Sequence, residues 1–232
     1  MACPISSVLA PHICGVGYLC PIPAKTIYEK GVLVVLFVGN VQIPKTDEDN
    51  ITELHRHVMR LFPQANTPAR SSLGVLFQVL SEEDSGLDLL ILSKTEPKAG
   101  TAGFASIPYP EFEEGDSLVV TLDANMTKRL PTNKTPERTS RHGRLAAIET
   151  VREMREWLDR KARQHGFSVL SAAFRPAPLA KRRGDNGLFL LATRVEAEVE
   201  ITDAGLFSDA VANGIGRGRA FGCGLVNVFD VL

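Results

Sequence analysis

The alternation of apolar and polar residues predicts a β-α-β-β unit in the first half of the chain. A β-branched run that follows Gly31 predicts a buried strand, and apolar residues at helical spacing predict a helix over 51–62. Two further apolar runs, at 73–80 and 87–92, predict strands that are joined by the turn 82–86.

A second cycle of elements follows the segment 98–115, whose proline, glycine and acidic residues predict a shortened closing helix and strand plus a linker. The predicted elements are a strand at 117–123, a helix at 144–165, strands at 167–174 and 188–201, a short helix capped by Asp203, and a strand at 225–232. The pattern predicts an α+β fold of two tandem ferredoxin-like (βαββαβ) domains, at 31–112 and 113–232. Residues 1–30 form an N-terminal extension with no predicted role.

The composition is that of a globular protein without a membrane segment. The chain has 232 residues, of which 44% are hydrophobic, enough to bury one large core or two small ones. The longest apolar run, at 32–38, is far shorter than the roughly 20 residues that a membrane helix needs. No basic residue precedes Lys25, so a secretory signal is not predicted and the expected location is cytoplasmic.

Charge is unevenly divided between the two halves. Residues 1–124 contain 8 Lys and Arg against 15 Asp and Glu, whereas residues 125–232 contain 18 against 12. A basic half is typical of a surface for nucleic acid or another polyanion, although a solvated helix face produces the same count.

The four cysteines do not have the spacing of a metal site. Cys3, Cys14 and Cys20 lie near the start and Cys223 lies near the end, without any C-x-x-C pair. His12 and the first three cysteines could hold zinc, but we expect reduced thiols and no metal.

The segment "GIGRGRAFGCGL", at 214–225, is rich in glycine and contains Arg217 and Arg219. A dinucleotide site needs a strand before its glycines and a helix after them, and here the predicted order is reversed, so no nucleotide cofactor is expected. Two interpretations stay open. Glycine amides and arginines could bind a phosphate, or the segment could be a helix cap and a tight turn with solvated arginines.

This glycine-rich segment and the strand after it resemble the C-terminal signature of the CRISPR-associated repeat-processing endoribonucleases of type I-E, the CasE family of the RAMP proteins. Three further stretches resemble the same family in order and spacing: "ELHRHVMRLFP" at 53–63, "LDANMTKRLP" at 122–131 and "EWLDRKARQHGF" at 156–167. The resemblance covers the chain from about Gly31 to its end.

The resemblance implies an endoribonuclease that binds the stem-loop of a CRISPR repeat and cuts the precursor RNA at the 3′ base of the stem. It implies a metal-independent reaction that leaves a 2′,3′-cyclic phosphate and a 5′-hydroxyl, without a cofactor. The expected partners are the repeat hairpin RNA, as precursor and as mature guide, and the other subunits of a Cascade-like interference complex.

The resemblance also implies the candidate catalytic residues His55, Thr52 and Lys128. His55 matches the histidine on the first helix of the family, where it would act as a general acid or base. Many members have a tyrosine where this chain has Thr52, whose hydroxyl reaches less far and is a poor acid. Lys128 belongs to the strand-then-basic motif and is a candidate for a second role near the cut. His57 points to the other side of the helix and has no assigned role.

The candidate RNA-binding residues are basic side chains of predicted loops and residues of the glycine-rich segment. They are Arg129, Arg138, Arg141, Arg144, Lys181, Arg182, Arg183, Gly214, Gly216, Arg217, Gly218 and Arg219. Each basic cluster could equally be a solvated loop, and for "AKRRGDNG" at 180–187 the two interpretations are balanced. The aromatic content of 6% argues against a platform that stacks single-stranded bases and favours a groove that clamps a duplex.

Three classes of function follow from these observations. The first is the repeat-specific endoribonuclease. The second is a scaffold of the same fold that holds the RNA hairpin without cutting it, which Thr52 in place of tyrosine favours. The third is an unrelated ferredoxin-like protein that binds a small anion at the glycine-rich segment, and it requires the other three motif matches to be chance.

Overall fold

The N-terminal region contributes only a short ribbon to the described structure. The computed structural model describes residues 28–29, 32–33, 35–44, 50–63, 73–130 and 145–230. Strand β1 (Tyr28–Glu29) pairs antiparallel with β2 (Val32–Leu33). The rest of the predicted extension lies outside the described residues.

The N-terminal domain is a four-stranded antiparallel sheet with one helix. Its elements are β3 (Val35–Ile43), α1 (Ile51–Arg60), β4 (Leu76–Glu83), β5 (Gly86–Ser93) and β6 (Phe104–Pro108). The strand order β4-β5-β3-β6 is that of a ferredoxin-like sheet. The connection between β5 and β6 contains no helix, so the predicted closing strand is present and the predicted second helix is not.

The C-terminal domain contains the complete set of ferredoxin-like elements and a small extra hairpin. The elements are β7 (Ser117–Asn125), β8 (Thr127–Arg129), β9 (Leu145–Ala147), α2 (Val151–Gln164), β10 (Phe167–Arg183), β11 (Phe189–Ile201), α3 (Ala204–Asn213) and β12 (Asn227–Asp230). The main sheet has the order β10-β11-β7-β12, while β8 and β9 pair with each other. The predicted α+β class with two ferredoxin-like units is confirmed.

Helix α2 begins later than its hydrophobic pattern predicts. Thr150 is its N-cap: the hydroxyl accepts a hydrogen bond from the Glu153 amide at 3.3 Å and donates to the Glu153 carboxylate at 3.0 Å, so the cap and the third helical residue hold each other. The prediction of a helix from 144 is wrong, because Leu145–Ala147 pairs with β8 instead. Strand β10 also continues past the predicted 174 to Arg183.

The sheet of the N-terminal domain is buried on both faces. Leu89 and Ile91 of β5 join the core beneath α1. Their neighbours Leu90 and Leu92 point the opposite way and join a second cluster, which includes Ala212 and Leu225 of the C-terminal domain. Because alternate residues of a strand face opposite sides, the nearly continuous apolar sequence of β5 follows from this two-sided burial. None of the described helices combines the length and the apolar character that crossing a membrane requires.

A buried polar network joins the two domains. Arg194 of β11 donates to the Asp123 carboxylate at 2.7 and 3.1 Å and to the backbone oxygen of Val79 at 2.5 Å. Gln78 of β4 donates to the same carboxylate at 3.4 Å. Arg194 is 8% exposed and Asp123 is 1% exposed, so the charges neutralise each other away from water. The network fixes how the sheets are placed against each other.

Candidate functional site

A cleft of about 1110 Å³ lies where the two domains meet. Its walls come from α1, the segment before β4, the β8–β9 hairpin, the start of β11 and residues 216–221. We call residues 214–224 the glycine loop and this cavity the main cleft. The predicted site residues that line it are Thr52, His55, Gly216, Arg217, Gly218 and Arg219.

His55 lies on α1 at the edge of the helix face that packs on the sheet. Ile51, Leu54 and Val58 form that buried face, and His55 itself is 8% exposed. Its ring packs edge-on against Phe221 of the glycine loop, with centroids 5.7 Å apart. The helix and the loop therefore hold the imidazole between them at the wall of the main cleft.

Thr52 holds the tip of a neighbouring hairpin. Its hydroxyl accepts a hydrogen bond from the backbone amide of Asp185 at 3.0 Å. The Asp185 carboxylate accepts in turn from the Asn50 amide at 3.1 Å and from Arg56 at 2.6 Å. We call these four residues, Asn50, Thr52, Arg56 and Asp185, the α1–hairpin clamp.

The clamp affects the ionisation of Asp185. The hydrogen bond from Asn50, followed by the hydrogen bond and positive charge of Arg56, lowers the pKa of the Asp185 carboxyl. The clamp is therefore complete at neutral pH and weakens in acid, when the carboxylate takes up a proton.

The tip of the hairpin approaches α1 closely. A Cβ atom added at Gly184 would lie 2.7 Å from the Thr52 hydroxyl and 2.9 Å from a side-chain carbon of Ile51. Any larger residue at 184 would push the hairpin away from the helix that carries His55.

Lys128 does not line the main cleft. It forms an ion pair with Glu153 near the start of α2, whereas the preceding residue, Thr127, lines the cleft. The hydrogen bonds from Lys128 and Thr150 lower the pKa of Glu153. Since alternate strand residues face opposite sides, this orientation gives the predicted catalytic Lys128 a structural contact in place of access to the cleft.

The glycine loop begins as a helix cap and then lines the main cleft, while phosphate binding by the loop stays a prediction. Gly214 is the C-cap of α3 with φ 75°, and its amide donates to Ala210 at 2.8 Å, so that amide is not available to an anion. Gly216 and Gly218 also have positive φ, 86° and 80°, and line the main cleft.

The two arginines of the glycine loop lie at the cleft. Arg217 and Arg219 are exposed and both line the main cleft. Arg219 donates one hydrogen bond to the backbone oxygen of Asn213 at 2.8 Å, which fixes the guanidinium against the end of α3. A guanidinium has five donors, and this hydrogen bond uses one of them.

A smaller pocket of about 430 Å³ adjoins the main cleft and shares Arg217 and Arg219 with it. The predicted Arg129 lines this pocket, together with Arg160 and Lys161 of α2 and His165, the C-cap of that helix. The sequence analysis did not select these three residues. The sequence signal that could have found two of them is their spacing. Lys161 and His165 follow the buried Trp157 at intervals of four residues, so they lie on the same face of the helix.

The remaining predicted basic residues lie on a hairpin or outside the described structure. Residues 181–183 end β10 and pair with 189–191 of β11, and the side chains of Lys181 and Arg183 are exposed. We call residues 181–191 the basic hairpin. The structure includes the backbone of Arg182. Arg138, Arg141 and Arg144 lie outside the described residues.

Comparison with known proteins identifies the family. The model of the family described as "CRISPR associated protein" matches residues 33–229. The chain belongs to this family. The curated CRISPR-associated endoribonuclease Cse3 of Thermus thermophilus is 27% identical over 207 residues, which span 79% of this chain and 92% of that protein. The resemblance to the CasE endoribonucleases is confirmed.

Solved structures of the family share the fold. Thermus thermophilus Cse3 bound to an RNA that represents a pre-cleavage complex superposes with a TM-score of 0.65 at 22% identity, over 84% of this chain and 98% of that chain. Cas6e from Escherichia coli K-12 superposes with a TM-score of 0.65 at 21% identity, over 84% of this chain and 100% of that chain.

Proposed function

We propose that this family member is an endoribonuclease that binds CRISPR repeat stem-loops, cuts precursor CRISPR RNA at the 3′ base of the stem and keeps the product as part of an interference complex. The observation that carries the proposal is the main cleft, in which a histidine of one domain and two arginines of the other line one cavity. The 27% identical relative is named as an endoribonuclease.

The proposed reaction is an internal transesterification. The 2′-oxygen of the nucleotide before the cut bonds to the adjacent phosphorus, and the bond from that phosphorus to the 5′-oxygen breaks. The 2′-hydroxyl proton passes to a base and the 5′-oxygen takes a proton from an acid, so the products are a 2′,3′-cyclic phosphate and a 5′-hydroxyl. No water is consumed, and DNA lacks the attacking group.

His55 is the residue that we assign to proton transfer. Imidazole exchanges protons near neutral pH, and the contact with Phe221 holds the ring at the cleft wall. Arg217 and Arg219 supply fixed positive charge for the phosphate oxygens, on which negative charge grows in the transition state. Thr52 positions the hairpin through the clamp. We assign no role at the reacting phosphate to Lys128, which pairs with Glu153.

The basic hairpin is the second part of the proposed RNA surface. Lys181 and Arg183 are exposed, and the clamp fixes the hairpin tip to α1. An RNA stem presents regularly spaced phosphates and hides its base edges in a deep major groove. We therefore infer recognition mainly by shape and charge, with affinity that falls as salt is added.

The proposed partners follow from relatives. A subunit of a structure described as a CRISPR RNA-guided surveillance complex superposes with a TM-score of 0.59 at 20% identity. A protein that holds the stem after cutting has low turnover, because the same contacts bind substrate and product.

Cleavage of a labelled hairpin with the repeat sequence of the source genome, in EDTA, tests the proposal. We expect a cyclic phosphate product, and we expect His55→Gln to slow cleavage by about 10²-fold to 10⁴-fold without loss of binding. His57→Gln is the matched control, because it changes the same residue type on the same helix. A 2′-deoxy nucleotide at the cut site should block cleavage and spare binding.

The main alternative is a scaffold that binds the hairpin without cutting it. The burial of His55, only 8% exposed, and the engaged Thr52 hydroxyl favour it. Tight binding with intact RNA would support the scaffold and contradict the nuclease. Equal affinity for hairpin RNA and unrelated polyanions would contradict both.

A further inference from the structure

The pocket beside the main cleft concentrates positive charge, and we call it the cationic pocket. Its charged lining residues in the described structure are Arg129, Arg160, Lys161, Arg217 and Arg219, with His165 beside them. They come from three elements: β8, α2 and the glycine loop. No carboxylate is among the described residues that line it.

The crowding of these groups is visible in their ionisation. Burial lowers the pKa of Lys161, and the charges of Arg160 and Arg217 lower it further. Burial also lowers the pKa of His165, with Lys161 and Arg219 as the neighbouring charges. The fold thus brings cations of α2 and the glycine loop together against their mutual repulsion, as expected where an anion completes the site.

We propose that the cationic pocket binds a phosphate group of the RNA other than the one that is cut. The identity of the ligand as RNA rests on the proposed function, while binding of an anion rests on the pocket alone. Arg160, Lys161 and His165 are the residues that this inference adds to the RNA surface.

The chemistry of the pocket fits a phosphodiester. The planar forks of Arg160, Arg217 and Arg219 match phosphate oxygens, and the volume of about 430 Å³ admits a phosphate with part of its ribose. The wall is closed by Trp157, and Gly216 packs so near that an added Cβ would lie 3.4 Å from the indole. Because Arg217 and Arg219 line both cavities, one RNA strand can follow a continuous path through them.

Binding of a doubly charged anion should be coupled to a proton on His165. Among the described residues, the charged groups that line the pocket with this ring are Arg160 and Lys161 of α2, Arg217 and Arg219 of the loop, and Arg129 of β8. Lys161 and Arg219 are the two whose charges act on it. A bound anion offsets their charge and favours the imidazolium. Anion affinity should therefore rise as the pH falls through the His165 titration, by at most about tenfold per pH unit for one proton.

Titration of the protein with inorganic sulfate, followed by NMR of the His165 imidazole, tests the pocket without RNA. At constant ionic strength, sulfate should bind saturably and raise the His165 pKa. The double variant Arg160→Gln with Lys161→Gln should lose this response. The double variant Arg152→Gln with Arg163→Gln removes the same charge from exposed positions of α2 and should keep it. A His165 titration that sulfate does not move in the wild type would overturn the proposal.

Binding of the repeat hairpin tests the RNA part. The Arg160/Lys161 double variant should bind at least about tenfold more weakly, with the slope of log affinity against log salt reduced by about 0.7 to 0.9 for each lost contact. The Arg152/Arg163 double variant should bind and cut the hairpin as the wild type does. Equal affinities of the two double variants would refute an RNA contact here. If the wild type does not cut RNA, the proposed function fails, and the sulfate titration still decides whether the pocket binds an anion.

Discussion

The glycines of the glycine loop are required by local geometry at some positions and by the cleft at others. Gly214 and Gly224 close the base of the loop, where the Ile215 amide donates to the Gly224 oxygen at 2.8 Å. A Cβ at Gly224 would lie 2.4 Å from the Ile215 oxygen. Gly216 and Gly218 instead line the main cleft, where the absence of a Cβ leaves room for the proposed ligand.

Gly224→Ala should therefore destabilise the protein much more than Gly100→Ala. Both glycines have φ 84°, but a Cβ at Gly100 would meet nothing within 4 Å. The shared backbone strain costs about 1 kcal/mol, and the clash at 224 adds about 1 to 3 kcal/mol more. Urea unfolding measures the difference. Equal losses for the two variants would show that the loop base relaxes freely.

His165 should make the stability of the protein fall in mild acid. Its pKa is lowered in the folded chain, chiefly by burial, so below about pH 6.5 the unfolded chain binds more protons and folding loses stability as the pH falls. His165→Gln removes this dependence. Urea unfolding between about pH 8 and about pH 5.5 should show the wild type losing more stability than His165→Gln as the pH falls. Equal losses would contradict the prediction.

At the scale of elements, the site depends on contacts between α1, the glycine loop and the basic hairpin. Helix α1 carries His55, the glycine loop presents Phe221 to its ring, and the clamp ties the hairpin tip to the start of the helix. The hydrophobic pattern predicted α1 and both strands of the hairpin. It did not predict that β10 continues to Arg183 and reaches the other domain, because the prolines and basic residues of this extension are typical of a loop. Its pairing with β11 and its bridge to Asn50 are long-range contacts.

Asp185→Asn should loosen the hairpin while leaving the fold intact. The substitution removes the negative charge that faces Arg56 at 2.6 Å and keeps the shape of the side chain. We expect faster amide exchange over 184–188 and cleavage slowed on the order of tenfold through misplacement of the RNA. Asp84→Asn, an exposed acid in the β4–β5 turn, is the control. Unchanged exchange and cleavage in Asp185→Asn would contradict a positioning role for the clamp.

At the scale of the whole molecule, the main cleft exists because the two domains are held in one arrangement. The apolar cluster of Leu90, Leu92 and Leu225 supplies the contact area between them. The buried polar network makes the arrangement specific, because a displaced domain would lose the hydrogen bonds that Arg194 and Asp123 make to Val79 and Gln78 of β4 and leave those buried groups unsatisfied.

Arg194→Leu should strongly destabilise the protein, because it leaves the Asp123 carboxylate, 1% exposed, without its guanidinium. Loss of one partner of a buried pair costs about 3 to 5 kcal/mol. Arg175→Leu breaks an exposed pair with Glu196 in the same sheet and should cost less than about 1 kcal/mol. Urea unfolding compares the variants, and a similar small loss in both would mean that the network does not hold the domains together.

The sequence by itself determined the order of elements, the two ferredoxin-like units, the basic second half and the motifs that mark the family. These follow from hydrophobic periodicity and from the residues that form turns and helix caps, which depend only on residues close together in the sequence. The start of α2 was the main local error, since a strand pairing at 145–147 competed with the helical pattern.

Only the tertiary structure decided which of the candidate residues share a cavity. His55 lines the same cleft as Arg217 and Arg219, although more than a hundred residues separate them in the chain. Lys128 pairs with Glu153, and the Thr52 hydroxyl accepts a hydrogen bond from the basic hairpin. Arg160, Lys161 and His165 line one pocket with the arginines of the glycine loop. Sequence periodicity reports the face on which a side chain lies, but the partner of that face is set by how the two sheets pack. That packing depends on long-range burial and on charges that must meet away from water.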